Sequence, residues 1–126
     1  MRRFIVTIFF WVVDLLIPAI ILAFGLICKF RPPKKINSLY GYRTSRSMKS
    51  QKTWDYAHSR IGVLWPRIGA ALFLIIVISK LVTPVEKEYL SLIHTGIGII
   101  ALIIGIPFVE IELGARFDEN GDDLRR

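Results

Sequence analysis

The polar residues best suited to binding or reaction lie in one stretch of the chain, residues 29–60. Within it, Arg43 has a planar guanidinium with five donors, which suits a phosphate or a carboxylate. Gly41 lets the backbone turn sharply beside it. We expect a polar pocket here that holds a lipid headgroup or the C-terminus of a peptide. A second interpretation stays open, in which Arg43 binds the acidic C-terminal segment and holds the fold together. The pocket residues are Asn37, Tyr40, Arg43 and Thr44, beneath Trp54.

Catalysis has weaker support in the sequence than binding. His58 and His94 lie on different elements, and no serine lies in a nucleophile elbow. The chain has no HExxH pattern, no Cys/His metal spacing and no phosphate-binding loop, so we expect no metal and no cofactor. Binding without chemistry is therefore the preferred interpretation. A small intramembrane hydrolase that uses His58 or Glu110 near Arg43 is the enzymatic alternative.

Three ionisable side chains, Asp14, Arg67 and His94, fall inside strongly apolar stretches. A carboxylate near the middle of a membrane span costs about 2.5–3.5 kcal/mol, so Asp14 must face other helices, either as a proton or ligand site or as a structural contact. Arg67 must reach the membrane surface or find a partner, and we predict that it pairs with Glu110. His94 is expected to bond a neighbouring helix, with a pH-sensing role as the alternative.

These side chains must be positioned by three apolar stretches, each with about 20 mostly apolar residues, the length that crosses the hydrocarbon core of a bilayer. A mean hydropathy of +0.51 is too high for an ordinary small soluble domain. The first stretch exceeds a typical signal core, and no small-residue cleavage site follows it. We therefore predict an all-α membrane protein with one domain over residues 1–126 and with spans at residues 4–28, 61–82 and 89–109.

The positive charge is concentrated between the first two spans. A net charge of +7 would suggest nucleic acid in a soluble protein, but here it predicts a cytoplasmic loop, with the N-terminus outside and the C-terminus inside. Arg2 and Arg3 favour the opposite orientation. The loop should also attract anionic lipid headgroups, so we expect lipids and no nucleic acid as partners. The basic residues of the loop are Lys29, Arg31, Lys34, Lys35, Arg43, Arg46, Lys49, Lys52 and Arg60.

The loop is predicted to contain the end of one helix and the start of the next. Pro32 and Pro33 should end the first helix. An amphipathic helix then runs to Arg60 and leads into the second span, with Ser47 or Ser50 as its N-cap. The apolar face of this helix consists of Trp54, Ala57 and Ile61.

Aromatic and small residues give further expectations about the membrane interface and the packing of the spans. Trp54, Tyr56 and Trp65 are expected at headgroup level as interfacial anchors. Small residues form stripes that allow helices to approach closely, and the stripe of the third span serves either internal packing or a homodimer. The acidic tail, residues 110–126, is expected to touch the basic loop. The small residues are Gly62 and Gly69 in the second span and Gly98, Ala101 and Gly105 in the third.

The segment Ile36–Thr44, followed by residues 47–50 and 53–58, closely resembles the signature of the SdpI family of bacterial membrane proteins. The resemblance runs from about Leu22 to the C-terminus. The candidate ligand-binding set consists of Tyr40, His58 and the positions that match the family, with the exception of Ala57. The matching positions are Asn37, Gly41, Tyr42, Arg43, Thr44, Ser47, Trp54 and Ala57, with Glu110 as a weaker match.

The resemblance implies a role in immunity at the bacterial cytoplasmic (inner) membrane. The family's named member protects the cell from a secreted, membrane-acting toxic peptide made by its own kin, and it also sequesters a transcriptional repressor at the membrane. A toxic peptide and a repressor are therefore the partners that the resemblance implies. This chain looks like a short form that has only the signature domain. A lipid-headgroup-binding scaffold or a transporter subunit is the alternative from another functional class.

Overall fold

The computed structural model describes residues 1–124, which form three long helices and no strand. They are α1 (Arg2–Phe30), α2 (Gln51–Val82) and α3 (Lys87–Arg116). Each is long and apolar enough to cross a membrane, so the predicted all-helical membrane fold is confirmed. Each helix is also longer than its predicted span. Arg125 and Arg126, the end of the predicted acidic tail, lie outside the described residues.

The loop between α1 and α2 begins and ends at local signals in the sequence. Helix α1 ends at Phe30, just before Pro32, which cannot continue a helix. Helix α2 begins after Ser50, whose hydroxyl accepts the Thr53 N–H, while the Thr53 side chain bonds back to the Ser50 backbone. This capping box confirms Ser50 as the N-cap. The predicted amphipathic helix up to Arg60 is the first part of α2 and continues into the span without a break.

Helices α1 and α2 approach backbone to backbone because glycines lie at their crossing. A Cβ on Gly69 would be 2.6 Å from the backbone nitrogen of Leu22, and a Cβ on Gly62 would be 2.8 Å from the Cα of Lys29. Only glycine allows so close an approach.

Two glycines of the predicted stripe in α3 also face the other helices of this chain. Gly98 lies against Ile17 of α1, and Gly105 lies near Trp65 of α2. The stripe predicted in the third span is therefore used for internal packing.

The three helices run up, down and up, which gives the molecule two polar ends. At the loop end, α1 ends, the residue 31–50 loop folds over the start of α2, and α3 ends beside them. At the hairpin end, α1 begins and residues 83–86 join α2 to α3. Between the ends, large apolar side chains are exposed along all three helices, as expected for a surface that faces lipid. Examples are Leu16, Ile20, Leu74, Ile75, Ile78, Ile99, Ile100 and Ile103.

Two of the three predicted interfacial anchors are wrong. Trp54 is completely buried and Trp65 is 8% exposed, so both are core residues. The loop folds back over α2, and the Trp54 indole N–H donates to the Pro33 carbonyl oxygen at 2.7 Å. Tyr56 is half-buried, and its hydroxyl donates to Glu112 of α3. Helical spacing alone does not distinguish a face that meets headgroups from one covered by a loop.

Candidate functional site

A buried histidine joins the loop to α2 at the loop end. The Tyr42 backbone N–H donates to His58 Nε2 at 2.9 Å, and His58 Nδ1 lies 2.7 Å from the carbonyl oxygen of Trp54. Because Nε2 accepts a hydrogen bond, it carries a lone pair and no hydrogen. The hydrogen of the ring is therefore on Nδ1, and the imidazole is neutral. Both ring nitrogens are thus engaged. The structure gives His58 a role in positioning the loop on α2.

Gly41 occupies a position that only glycine fills without strain. Its φ of +117° is in the left-handed region, where a side chain clashes with the backbone. A Cβ here would also lie 2.8 Å from His58 Nε2 and 3.1 Å from the Trp54 ring. Gly41 therefore sets both the turn and the close contact of the loop with α2.

Ser47 and Thr44 close the turn that follows Tyr42. The Ser47 hydroxyl donates to the Tyr42 carbonyl at 2.7 Å and accepts the Thr44 N–H at 2.9 Å. In return, the Ser47 N–H donates to the Thr44 hydroxyl at 3.1 Å. Ser47 is completely buried. These two side chains are used within the turn, which fixes the residues that precede it.

A buried tyrosine connects the loop to α3. The Tyr42 hydroxyl donates to Glu110 Oε1 at 2.5 Å, and Arg46 Nε lies 3.8 Å from Glu110 Oε2. Burial and the neighbouring carboxylate raise the pKa of Tyr42 well above its ordinary value, so the hydroxyl stays a donor. The predicted pair between Arg67 and Glu110 is wrong. The loop brings Tyr42 and Arg46 to Glu110, and Arg67 is exposed on α2.

The C-terminal segment contacts the basic loop and the start of α2, as predicted. Arg60 pairs with Glu112 at 2.8 Å, and Lys49 Nζ donates to the Glu119 carbonyl at 2.8 Å. The Ser50 hydroxyl donates to the Gly121 carbonyl at 2.7 Å. Lys49, Ser50 and Arg60 make these contacts, whereas one of the two interpretations of Arg43 assigned that role to its guanidinium.

Leu39, Tyr40 and Arg43 form an exposed surface held by a turn at Asn37, and we call these four residues the knuckle. The Asn37 side-chain oxygen accepts the Leu39 and Tyr40 N–H groups at 2.9 Å each. Arg43 Nε donates to the Asn37 carbonyl at 3.0 Å, and the rest of its side chain is exposed. Leu39 and Tyr40 are 88% and 55% exposed. Gly41, next to Tyr40 in the chain, packs against the Trp54 ring. Tyr40 and Arg43 form an outer surface and not a closed pocket.

A cavity of about 540 Å³ lies between the end of α1 and the start of α2. Lys29 and Lys34 give it positive charge, and Asp55 is its acidic residue. This concave site, with two lysines among its lining residues, is a candidate for an anionic headgroup. The remaining polar lining is Cys28, His58 and Ser59.

The hairpin end contains a second polar cluster, centred on Asp14 of α1. Lys80 Nζ of α2 and His94 Nδ1 of α3 each lie 2.8 Å from Asp14 Oδ2. The Ser91 hydroxyl donates to Asp14 Oδ1, and His94 Nε2 lies 3.0 Å from the Ser79 hydroxyl. The predicted contacts of Asp14 and His94 with neighbouring helices are confirmed.

Sequence reasoning missed Lys80, Ser79 and Ser91 in this cluster. A lysine two residues from the end of a span ordinarily extends to the membrane surface, so Lys80 gave no signal. The signal was the tight connection after Val82, which makes α2 and α3 antiparallel and places both helix ends near the depth of Asp14.

Comparisons with known proteins place this chain within a family. A family model described as the SdpI/YfhL protein family matches residues 34–111, more than half of the chain. A curated relative, the "Uncharacterized protein YfhL" of Bacillus subtilis (strain 168), is 56% identical over 34 residues, which are 27% of this chain and 31% of the relative. The match thus spans about a third of that relative's length. No solved structure matches.

Proposed function

Because this chain belongs to the SdpI/YfhL protein family, we propose that it protects a bacterial cell against a membrane-active toxic peptide by binding and without catalysis. Its three membrane-spanning helices suit a target that acts within the bilayer. The observation that carries the proposal is the division of the loop end into a buried scaffold and an exposed knuckle.

The scaffold favours binding over chemistry because its reactive groups are already engaged. His58 uses both ring nitrogens, and Glu110 accepts from Tyr42 and lies near Arg46. A general base must be within hydrogen-bond reach of a substrate proton. Either residue would have to give up a structural contact to act as one.

The knuckle combines three kinds of group that peptide-binding surfaces use. Leu39 offers an apolar side chain, Tyr40 an aromatic ring and Arg43 a guanidinium. Tyrosine and arginine are enriched among residues that dominate binding energy. The turn centred on Asn37 fixes the backbone between them, and such preorganisation lowers the entropy cost of binding.

The proposed orientation places the knuckle at the cytoplasmic face of the inner membrane, since the basic residues of the loop belong inside by the positive-inside rule. The N-terminus and the hairpin then face outward. In this arrangement, the knuckle meets the part of a toxic peptide that has entered or crossed the bilayer.

Survival of toxin-sensitive bacteria tests the proposal. Cells would produce the wild type, Arg43→Ala or Lys52→Ala at matched membrane levels and be challenged with the toxic peptide of the family's named member. Lys52 is the control because it is an exposed basic residue near the same end. We expect wild type and Lys52→Ala to protect and Arg43→Ala to lose protection. Absence of protection by well-expressed wild type would contradict the proposal.

Binding of an anionic lipid headgroup is the second candidate function, favoured by the cavity that Lys29 and Lys34 line. Replacing both lysines with glutamine should then lower the anionic phospholipid that co-purifies with the protein, measured by mass spectrometry. Unchanged lipid content would remove this candidate. Lys35 and Lys52, replaced in the same way, provide a charge-matched control outside the cavity lining.

A further inference from the structure

The Asp14 cluster places two potential cations on one buried carboxylate oxygen. Lys80 Nζ and His94 Nδ1 each lie 2.8 Å from Asp14 Oδ2. The side chains of Asp14, Lys80 and His94 are 0%, 7% and 2% exposed. Each of the three helices supplies one of these groups. The carboxylate therefore holds the helices together through a site that water barely reaches.

The charges of the cluster balance only while His94 is neutral. Asp14 and Lys80 cancel each other, and a neutral His94 donates from Nδ1 while Nε2 accepts from the Ser79 hydroxyl at 3.0 Å. A proton added at Nε2 would leave one uncompensated positive charge in a buried site, which is strongly unfavourable.

Lys80 is the group that can relieve this excess charge. It lies two residues before the end of α2, and a lysine at a helix end can extend its ammonium to the membrane surface. At present the ammonium lies 4.8 Å from the centre of the Trp11 ring, which covers it. Departure of Lys80 would leave Asp14 paired with the imidazolium of His94.

A hydrogen-bonded route connects His94 to the end of the molecule. Beyond the Ser79 hydroxyl, the Thr83 hydroxyl lies 3.5 Å away in the connection that follows α2. Hydroxyls both donate and accept, so Ser79 and Thr83 can pass a proton to the imidazole. Intramembrane Asp and His chains of this kind occur in proton relays.

We propose that this cluster is a proton-binding site in which the Asp14 carboxylate pairs with either the Lys80 ammonium or a protonated His94. Among the described residues, the charged groups that contact His94 or its carboxylate are Asp14 from α1 and Lys80 from α2, and Ser91 is the α3 neighbour that bonds Asp14. The other charged residues near this end are exposed: Arg2, Arg3, Glu86, Lys87 and Glu88.

Fluorine NMR of the full chain in lipid nanodiscs tests the exchange. The three tryptophans would be labelled with 5-fluorotryptophan, and the Trp11 signal assigned with Trp11→Phe. When the pH is lowered from about 8 to about 5, we expect the Trp11 signal to shift as Lys80 leaves the ring. His94→Gln should abolish the shift. Lys80→Met, which keeps the chain length without the charge, should abolish it as well.

A second measurement uses only the wild type, so it does not depend on whether a variant folds. In wild type labelled with ¹⁵N-histidine, His94 should change from the neutral form to the cation over the same pH range as the Trp11 shift. His94 that stays neutral throughout would overturn the proposal. A Trp11 signal that does not move while His94 titrates, or that still moves in folded His94→Gln, would overturn it too.

Discussion

At the loop end, buried polar groups bond mainly to backbone atoms of a nearby turn, whereas at the hairpin end two helices give side chains to a single carboxylate on the third. His58 and Ser47 illustrate the first arrangement, since each bonds to the Tyr42 backbone. Asp14 with Lys80 illustrates the second. The loop end thus fixes a local shape, while the hairpin end fixes how the helices lie together.

The two arrangements should respond differently to the loss of one partner. Removing a neutral hydrogen-bonding group leaves its neutral partner without a hydrogen bond, which costs about 1–3 kcal/mol when that partner is buried. Removing one member of a buried ion pair leaves an uncompensated charge, which costs about 3–5 kcal/mol. The following substitutions test this contrast, in order of the expected effect on the free energy of unfolding.

Asp14→Ala should have the largest effect, a loss of about 3–5 kcal/mol, because Lys80 loses its counter-ion and His94 and Ser91 lose the carboxylate that joins the three helices. The measurement is unfolding by sodium dodecyl sulfate in mixed micelles, followed by circular dichroism. The matched control replaces both partners, as Asp14→Leu with Lys80→Met, and should recover most of the loss. A double variant that is no more stable than Asp14→Ala would contradict a dominant role of the unpaired charge.

Gly41→Ala should cost about 1–3 kcal/mol through its left-handed backbone alone, with a further loss from the contact with His58. Gly96→Ala is the control, because a Cβ there meets no atom within 4 Å. It should be neutral or slightly stabilising, since alanine favours a helix. Equal losses in the two variants, measured by the same unfolding assay, would mean that Gly41 is not specifically required.

Tyr42→Phe should cost about 1.5 kcal/mol, because Glu110 loses its tyrosine donor and keeps only the longer contact with Arg46. Tyr40→Phe is the control, since Tyr40 is exposed and should change stability little. A Tyr42→Phe variant as stable as Tyr40→Phe would indicate that the hydrogen bond between the loop and α3 makes no net contribution to the free energy of unfolding.

The alkaline pH dependence of stability should also change in Tyr42→Phe. The folded protein raises the pKa of Tyr42 above its ordinary value of 10.0, so the unfolded chain releases this proton first. The contribution of Tyr42 is therefore complete below that value and is lost as the pH rises above it. Unfolding measured on both sides of this pH should show a smaller alkaline loss in Tyr42→Phe than in wild type. Identical losses in the two proteins would contradict the claim that folding raises the pKa of Tyr42.

Arg43→Ala should have the smallest effect on stability, within about 0.5 kcal/mol, because the side chain is exposed and makes one bond to the Asn37 carbonyl. Its effect on protection should nevertheless be the largest among the knuckle variants. A marked loss of stability would mean that Arg43 belongs to the scaffold.

The sequence predicted the features whose causes are local. Pro32 ends α1, the Ser50 capping box begins α2, and apolar length predicts the spans. The partners of Glu110 and Asp14 could not be predicted in the same way. They depend on how a loop folds onto α2 and on the depth at which an antiparallel helix places Lys80, and neither appears as a short-range pattern.

The most direct test is binding of the toxic peptide to the purified full chain in lipid nanodiscs, with wild type, Arg43→Ala and Lys52→Ala compared at equal folded concentration. The separation of scaffold and knuckle predicts that Arg43→Ala weakens binding by about tenfold or more, equivalent to about 1.4 kcal/mol, with unchanged helical content. Lys52→Ala should bind like wild type. Equal binding by Arg43→Ala and wild type would contradict the account.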